Sequence, residues 1–156
     1  MDDTNNQDSE KYLVYQLGGE IYASPLMEVR EVIEYRAAKP IPHTAPFFKG
    51  VINVRGEIIG VVDLRTRLGI ETGTAPSAQL IFDAESGPLA AVVDRVHAVS
   101  VIHEKDLDRN PGVSAPNADR SYFLGVGRVD DRLITVISLR KILSEDQLID
   151  FNLPPQ

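Results

Sequence analysis

Gly50 to Leu68 reads GVINVRGEIIGVVDLRTRL, and Gly125 to Leu143 reads GVGRVDDRLITVISLRKIL. The two stretches align without a gap at an offset of 75. Matched pairs include Gly50/Gly125, Val51/Val126, Val54/Val129, Ile59/Ile134, Val61/Val136, Leu64/Leu139, Arg65/Arg140 and Leu68/Leu143. The segments before them pair more weakly at an offset of 67: Leu13 with Leu80, Tyr15 with Phe82, Val29 with Val96, Val32 with Val99. A chain that repeats itself supplies its own comparison. Positions kept in both copies read as structural, and positions that diverge are where each copy has room for its own task. The largest divergence is Asn53-Val54-Arg55-Gly56 against Arg128-Val129-Asp130-Asp131.

Outward from the repeat, the chain reads as short strands separated by Gly and Asx turns. Residues 1–10 are polar and acidic and read as a disordered tail. Tyr12–Leu17 alternates, and Gly18-Gly19 supplies a hairpin turn into Ile21–Ala23. Ser24-Pro25 resembles an N-cap with proline at the first helical position. One helical turn is expected there, followed by a strand near Arg30–Tyr35. Lys39–Pro46 holds three prolines and is expected to be irregular. Val51–Val54 and Glu57–Val62 form a hairpin around Arg55-Gly56, and Asp63 caps a short helix, Leu64–Leu68, that stops at Gly69. Thr72–Ser77 is the expected linker between halves 11–71 and 78–150. Leu80–Phe82 and Leu89–Val93 make another hairpin across Glu85-Ser86-Gly87, and Val96–Ile102 is strand-like. His103–Ser121 is the main insertion of the second copy, either functional or merely mobile. Ser144–Gln147 fits a capping box, and 151–156 is a tail. The pattern is mainly β, as small barrels or sandwiches, with a few short helices.

At 156 residues the chain buries one good core or two small linked ones. The net charge of -7 argues against a phosphate-backbone binder, which needs a basic face. Cysteine is absent, so thiolate chemistry and Cys-ligated metal are excluded. The N-terminus lacks the basic and apolar regions of a signal peptide, and no apolar run reaches membrane-spanning length. A cytoplasmic protein with no direct membrane insertion is the expectation.

A search for catalytic constellations returns little. His43, His97 and His103 have no metal-ligand spacing. Glycine-rich phosphate loops and nucleophile elbows are missing. Asp63 reads as a helix cap, with nothing in the sequence to fix Asp94 near it. The expectation is a non-enzyme without cofactor or metal. Apolar residues are the other candidates: Leu26 and Val29 share a face, and Val96 is the repeat partner of Val29. If the copies pack about a pseudo-twofold axis, Val29 and Val96 occupy related places flanking one groove, or else are simple core. Glu31 and Arg55 are the charged pair of interest. The second copy builds the same hairpin with Asp130-Asp131, so the turn itself does not require Arg.

Phe48-Lys-Gly-Val-Ile-Asn-Val-Arg-Gly-Glu-Ile-Ile-Gly-Val-Val-Asp-Leu-Arg65 resembles the core motif of the CheW chemotaxis coupling proteins. The opening Tyr12–Glu20, Val92–Val96 and Tyr122–Val126 resemble that family too, so the resemblance spans about 11–150 as one domain. Val54 stands where the family usually has Leu, and Gly60 where it usually has Pro. The resemblance implies two five-stranded SH3/OB-like β-barrel subdomains with partly exchanged strands. It implies a non-catalytic adaptor that binds chemoreceptor cytoplasmic hairpin tips and the regulatory domain of the histidine kinase CheA at membrane receptor arrays, with rings of CheW-like domains a further possibility. By position, the receptor groove falls on Leu13, Leu26, Val29 and Val96, and kinase control on Glu31, Gly50, Asn53, Arg55 and Gly56. A paralogue serving a pilus or other chemosensory pathway fits the same residues. An OB-type nucleic-acid binder is the alternative of a different class. It would need a basic strip with aromatic platforms, which an acidic chain with 6% aromatic residues does not offer.

Overall fold

Alternating apolar residues and positive-φ turns cut the chain into eleven strands in a computed structural model that describes residues 9–110 and 121–142. They are β1 (Ser9–Leu17), β2 (Glu20–Pro25), β3 (Val29–Glu34), β4 (Phe48–Val54), β5 (Glu57–Asp63), β6 (Ala78–Ala84), β7 (Gly87–Val93), β8 (Arg95–His103), β9 (Leu107–Asp108), β10 (Phe123–Val129) and β11 (Arg132–Ile137). One helix, α1 (Leu64–Leu68), follows β5, and 3-10 turns occupy Leu26–Glu28 and Glu104–Asp106.

One sheet has the order β8-β1-β2-β11-β10-β9, the other β3-β6-β7-β5-β4. The repeat offsets pair β1 with β6, β2 with β7, β3 with β8, β4 with β10 and β5 with β11. Under that pairing the two sheet orders are identical, apart from the extra β9. Each sheet combines the first two strands of one copy with the last three of the other: β1 and β2 lie with β8, β10 and β11, and β6 and β7 lie with β3, β4 and β5. The copies therefore exchange strands, and neither sequence half contains a complete sheet.

Both sheets are drawn closed by the same device. After β3 the chain returns to β4, where Lys39 and Val51 exchange backbone hydrogen bonds of 2.8 and 2.9 Å. After β8 it returns to β10, where β9 pairs with Val126 and Gly127. Next to each latch lies a register shift at a glycine of positive φ, Gly50 at 132° and Gly125 at 147°. A Cβ on Gly50 would sit 2.0 Å from the Lys39 carbonyl oxygen, and one on Gly125 2.8 Å from that of Asp108. The repeated glycine is kept because the latching strand crosses there.

Three apolar clusters result. Tyr12, Val14, Ala23, Ile102, Leu107, Ile134 and Val136 fill the first barrel. Ile52, Val54, Ile59, Val61, Ile81, Ala90 and Val92 fill the second. The third lies between them and draws on both sheets, with Leu13, Tyr15, Leu17, Leu80, Phe82 and Val93 among its members. Strand alternation explains the division: even residues of β1 point into its own barrel, and odd ones into the shared core.

The hairpin readings hold. Arg55 and Gly56 have φ of 50° and 88°, and Asp130 and Asp131 of 52° and 65°, the paired positive values of a two-residue I′ hairpin turn. Asp63 caps α1 by accepting from the Arg65 backbone N–H, and Gly69 ends it at φ 75°. Several expectations need correction. Strand β1 starts at Ser9, inside the expected tail. Ser24 is no helix cap: its hydroxyl is buried at 2.7 Å from the Tyr15 hydroxyl, and Pro25 still belongs to β2. The strand expected near Arg30–Tyr35 is Val29–Glu34. His103–Asn110 is not a loose surface loop, because Leu107 is buried in the first barrel and Glu104 pairs with Arg109. The segment expected to link the halves is tied down, with Thr74 and Ser77 bonded to Arg65 and Asp94. The capping box at Ser144–Gln147 lies outside the described residues.

Candidate functional site

Pairing register decides which side chains reach the space between the barrels. Directly opposed residues on neighbouring strands share a face. On the first sheet, Tyr15 opposes Val96, Leu13 opposes Val99 and Lys11 opposes Val101. On the second, Phe82 opposes Val29, Leu80 opposes Val32 and Ala78 opposes Glu34. Tyr15, Leu13, Phe82, Leu80 and Ala78 all belong to the shared central cluster. Hence Val29 and Val32 on β3, and Val96 and Val99 on β8, flank that cluster in related places. A β-bulge in each outer strand, skipping Arg30 in β3 and His97 in β8, keeps Val29 and Val96 on this face.

Of the four groove residues expected from the sequence, Leu26, Val29 and Val96 are half-buried against the central cluster. Leu13 is closed off at 4% exposure, so it supports the face without presenting itself. Val32, Val99 and Val101 are more exposed than any of these and were legible only as repeat matches or strand residues. Met27 projects from the 3-10 turn at 86% exposure. Its signal was an apolar residue in a turn with no core to join. Tyr15 is fully enclosed beneath the face, and burial pushes its phenol well above the usual range.

The expected charged pair forms. The Arg55 guanidinium donates to the Glu31 carboxylate, joining the β4–β5 turn to β3 across a seam that lacks backbone pairing there. Two further links cross the same seam: Arg30 to Glu57 at 3.3 Å, and Arg36 to the Asn53 carbonyl at 2.9 Å. Arg30 also pairs with Asp83, which raises its pKa further above the ordinary guanidinium range. Asn53 accepts from the Gly56 N–H at 2.9 Å and so locks the turn that presents Arg55. Gly50 is buried under the latch and contributes geometry only. The repeat partner of Ile58 is Leu133, and both stand exposed beside the hairpin turns, at 61% and 67%. Gly60 has a packing reason: a Cβ there would lie 3.0 Å from Leu89 and 3.1 Å from Phe48.

Asp94, which the sequence could not place, lies with Asp63 around one arginine. Arg65 donates to Asp94 at 2.8 Å and to Asp63 at 3.1 Å, and all three are buried. Asp94 also accepts from the Gly18 N–H at 2.8 Å, and Arg65 donates to the Thr74 carbonyl. Every acceptor is used, so the trio is a structural junction between β5, β7 and the β1–β2 turn. Among the described residues no cluster of His, Asp or Glu is arranged to hold a metal ion, and no helix is long and apolar enough to cross a membrane.

The CheW-like domain family model matches residues 11–147. A chemotaxis protein CheW of Thermotoga maritima is 34% identical over 137 residues, covering 85% of this chain and 87% of the relative. The one from Treponema pallidum is 26% identical over 92% of this chain and 87% of its own length. The crystal structure of the scaffolding protein TtCheW from Thermoanaerobacter tengcongensis superposes with a TM-score of 0.78 at 31% identity, covering 89% of this chain and 95% of that one. Sequence repeat, exchanged barrels and relatives thus converge: the chain belongs to the CheW-like domain family, as a chemotaxis-type scaffold protein.

Proposed function

We propose that this chain is a non-catalytic adaptor that couples the cytoplasmic hairpin tips of chemoreceptors to the regulatory domain of the kinase CheA. It works in the cytoplasm, recruited to membrane receptor arrays. The observation that carries the reading is the central face, where two valine pairs from the two copies stand half-open over one shared core. A monomer gains nothing from leaving paired apolar walls open, whereas an adaptor needs them for a helical partner. Leu26, Val29 and Val96 are the receptor contacts, resting on Leu13. Arg55, held by Glu31 on a turn fixed by Asn53 and Gly56, is the kinase-control residue, and Gly50 maintains the strand beneath it. The strands from Ser9 to Ile137 act as one domain, because their exchange makes the halves inseparable.

The test is a pull-down of a receptor cytoplasmic fragment and of the kinase regulatory domain, with Val29→Glu and Val96→Glu beside the unaltered chain. Both partners should bind the unaltered chain. Each variant should lose the receptor while its melting midpoint moves little, since these side chains are only partly buried and a carboxylate there can still reach water. Failure of the unaltered chain to retain either partner would overturn the reading. A midpoint collapse in both variants would return the valines to the core.

A further inference from the structure

The central face has twofold pseudosymmetry, and a pseudosymmetric groove admits an elongated partner in either of two opposite orientations. Its lining breaks that symmetry at one end of each wall. Along β3 the face reads Val29, Val32, Glu34; along β8 it reads Val96, Val99, Val101. Glu34 is the repeat partner of Val101. The strands beneath differ in the same place, because Glu34 opposes Ala78 whereas Val101 opposes Lys11, the repeat partner of Ala78. One end of the face therefore carries a carboxylate over a small apolar residue, and its counterpart carries an ammonium beside a valine. Glu34 and Lys11 are both exposed, and neither has an ion pair or side-chain hydrogen bond among the described residues. In contrast, Arg30, Glu31, Arg55, Glu57 and Asp83 on the neighbouring seam are all paired.

We infer that Glu34 and Lys11 are polarity determinants of the groove: they select one of the two pseudo-equivalent orientations of an apolar helical partner that carries a cation at the Glu34 end and an anion at the Lys11 end. The inference rests on the groove reading above and deepens it. The valines give the helix a surface without direction. Two unpaired charges of opposite sign, at places the pseudo-twofold would make alike, give it direction, since like charges in the reversed pose repel and matched ones attract. Exposed charges act through steering and register more than through total affinity, so the signature is a change of pose.

The chain has no cysteine, so single thiols report the pose directly. Val32→Cys and Val99→Cys are made separately and cross-linked to a receptor cytoplasmic fragment bearing a thiol on one arm of its tip or the other. Each site should cross-link to one arm with at least about fivefold preference at low salt, and the preference should fade at high salt as the charges are screened. The exchange variant Glu34→Val with Val101→Glu, which conserves composition, should reduce the preference to less than twofold or invert it. Glu34→Gln, a milder change on the same exposed position, should lower it partway and guards against misfolding of the exchange variant. Equal cross-linking of both arms by the native lining, or an unchanged preference in Glu34→Gln and the exchange variant, overturns the polarity inference and leaves the groove standing. Absence of any binding by the unaltered chain overturns the groove reading, and this inference with it.

Discussion

Arg65 and Arg140 occupy the same place in the two copies, yet one is nearly sealed and the other stands open. The Arg65 side chain is 5% exposed between two carboxylates, whereas that of Arg140 is 59% exposed and reaches Glu28 only at 3.7 Å. The difference lies in the partners. Asp63 has Ser138 as its repeat partner, and Asp94 has Met27. In the second copy the carboxylate arrives from the other half: Glu28 accepts from the Leu139 N–H at 2.7 Å and the Ser138 hydroxyl at 2.8 Å. The same need, capping the turn after the last strand, is met by a residue close in sequence in one barrel, and in the other by a residue of the opposite copy that follows the neighbouring strand β2. A residue kept in both copies is therefore not bound to one role.

Breaking the comparison at its strongest point means removing each arginine in turn. Arg65→Ala leaves Asp63 and Asp94 buried without a counter-ion and should cost about 3–5 kcal/mol. Arg140→Ala should cost no more than about 1 kcal/mol. Parallel urea unfolding curves measure both, and equal losses would erase the distinction. The latches come next. Gly50→Ala drives a Cβ into a carbonyl at 2.0 Å, against 2.8 Å for Gly125→Ala, so the first should lose more stability by calorimetry. The losses should fall around 1–3 kcal/mol, and the reverse order would mean that the first latch yields more easily. Glu28→Ala removes a cap supplied from the opposite half and should cost about 0.5–2 kcal/mol. Hydrogen exchange should locate the loosening at the Leu139 amide, and uniform loosening would contradict the cap supplied by the other copy. Arg55→Ala should be smallest in stability, about 0.2–1 kcal/mol, because the arginine of this pair is 70% exposed. In a reconstituted receptor–adaptor–kinase assembly it should nevertheless lose receptor control of kinase activity. Normal control would remove Arg55 from the functional site.

The repeat alone determined a good deal. One gapless stretch in each copy, with alternating apolar residues, dictates short strands, and the turn positions Arg55-Gly56 and Asp130-Asp131 between them dictate hairpins, because both signals are local. The Asp63 cap and Gly69 stop were legible for the same reason. Val29 and Val96 were legible as a pair since an internal offset relates them. Other features depend on residues far apart in the chain. Nothing near Asp94 announces Arg65, and nothing near Glu28 announces Leu139. Ser24 reads as a helix cap until its hydroxyl meets Tyr15 across a hairpin, and Leu107 reads as loop until a sheet edge accepts it. Strand exchange is the deepest instance. Each copy has strands enough for a sheet, and the exchange was implied by the family resemblance alone, because the pattern of residues does not say which copy a strand will pair with. In the exchanged arrangement the odd residues of β1 and the even residues of β6 meet in one shared core drawn from both sheets, and burial of that core holds the exchange together.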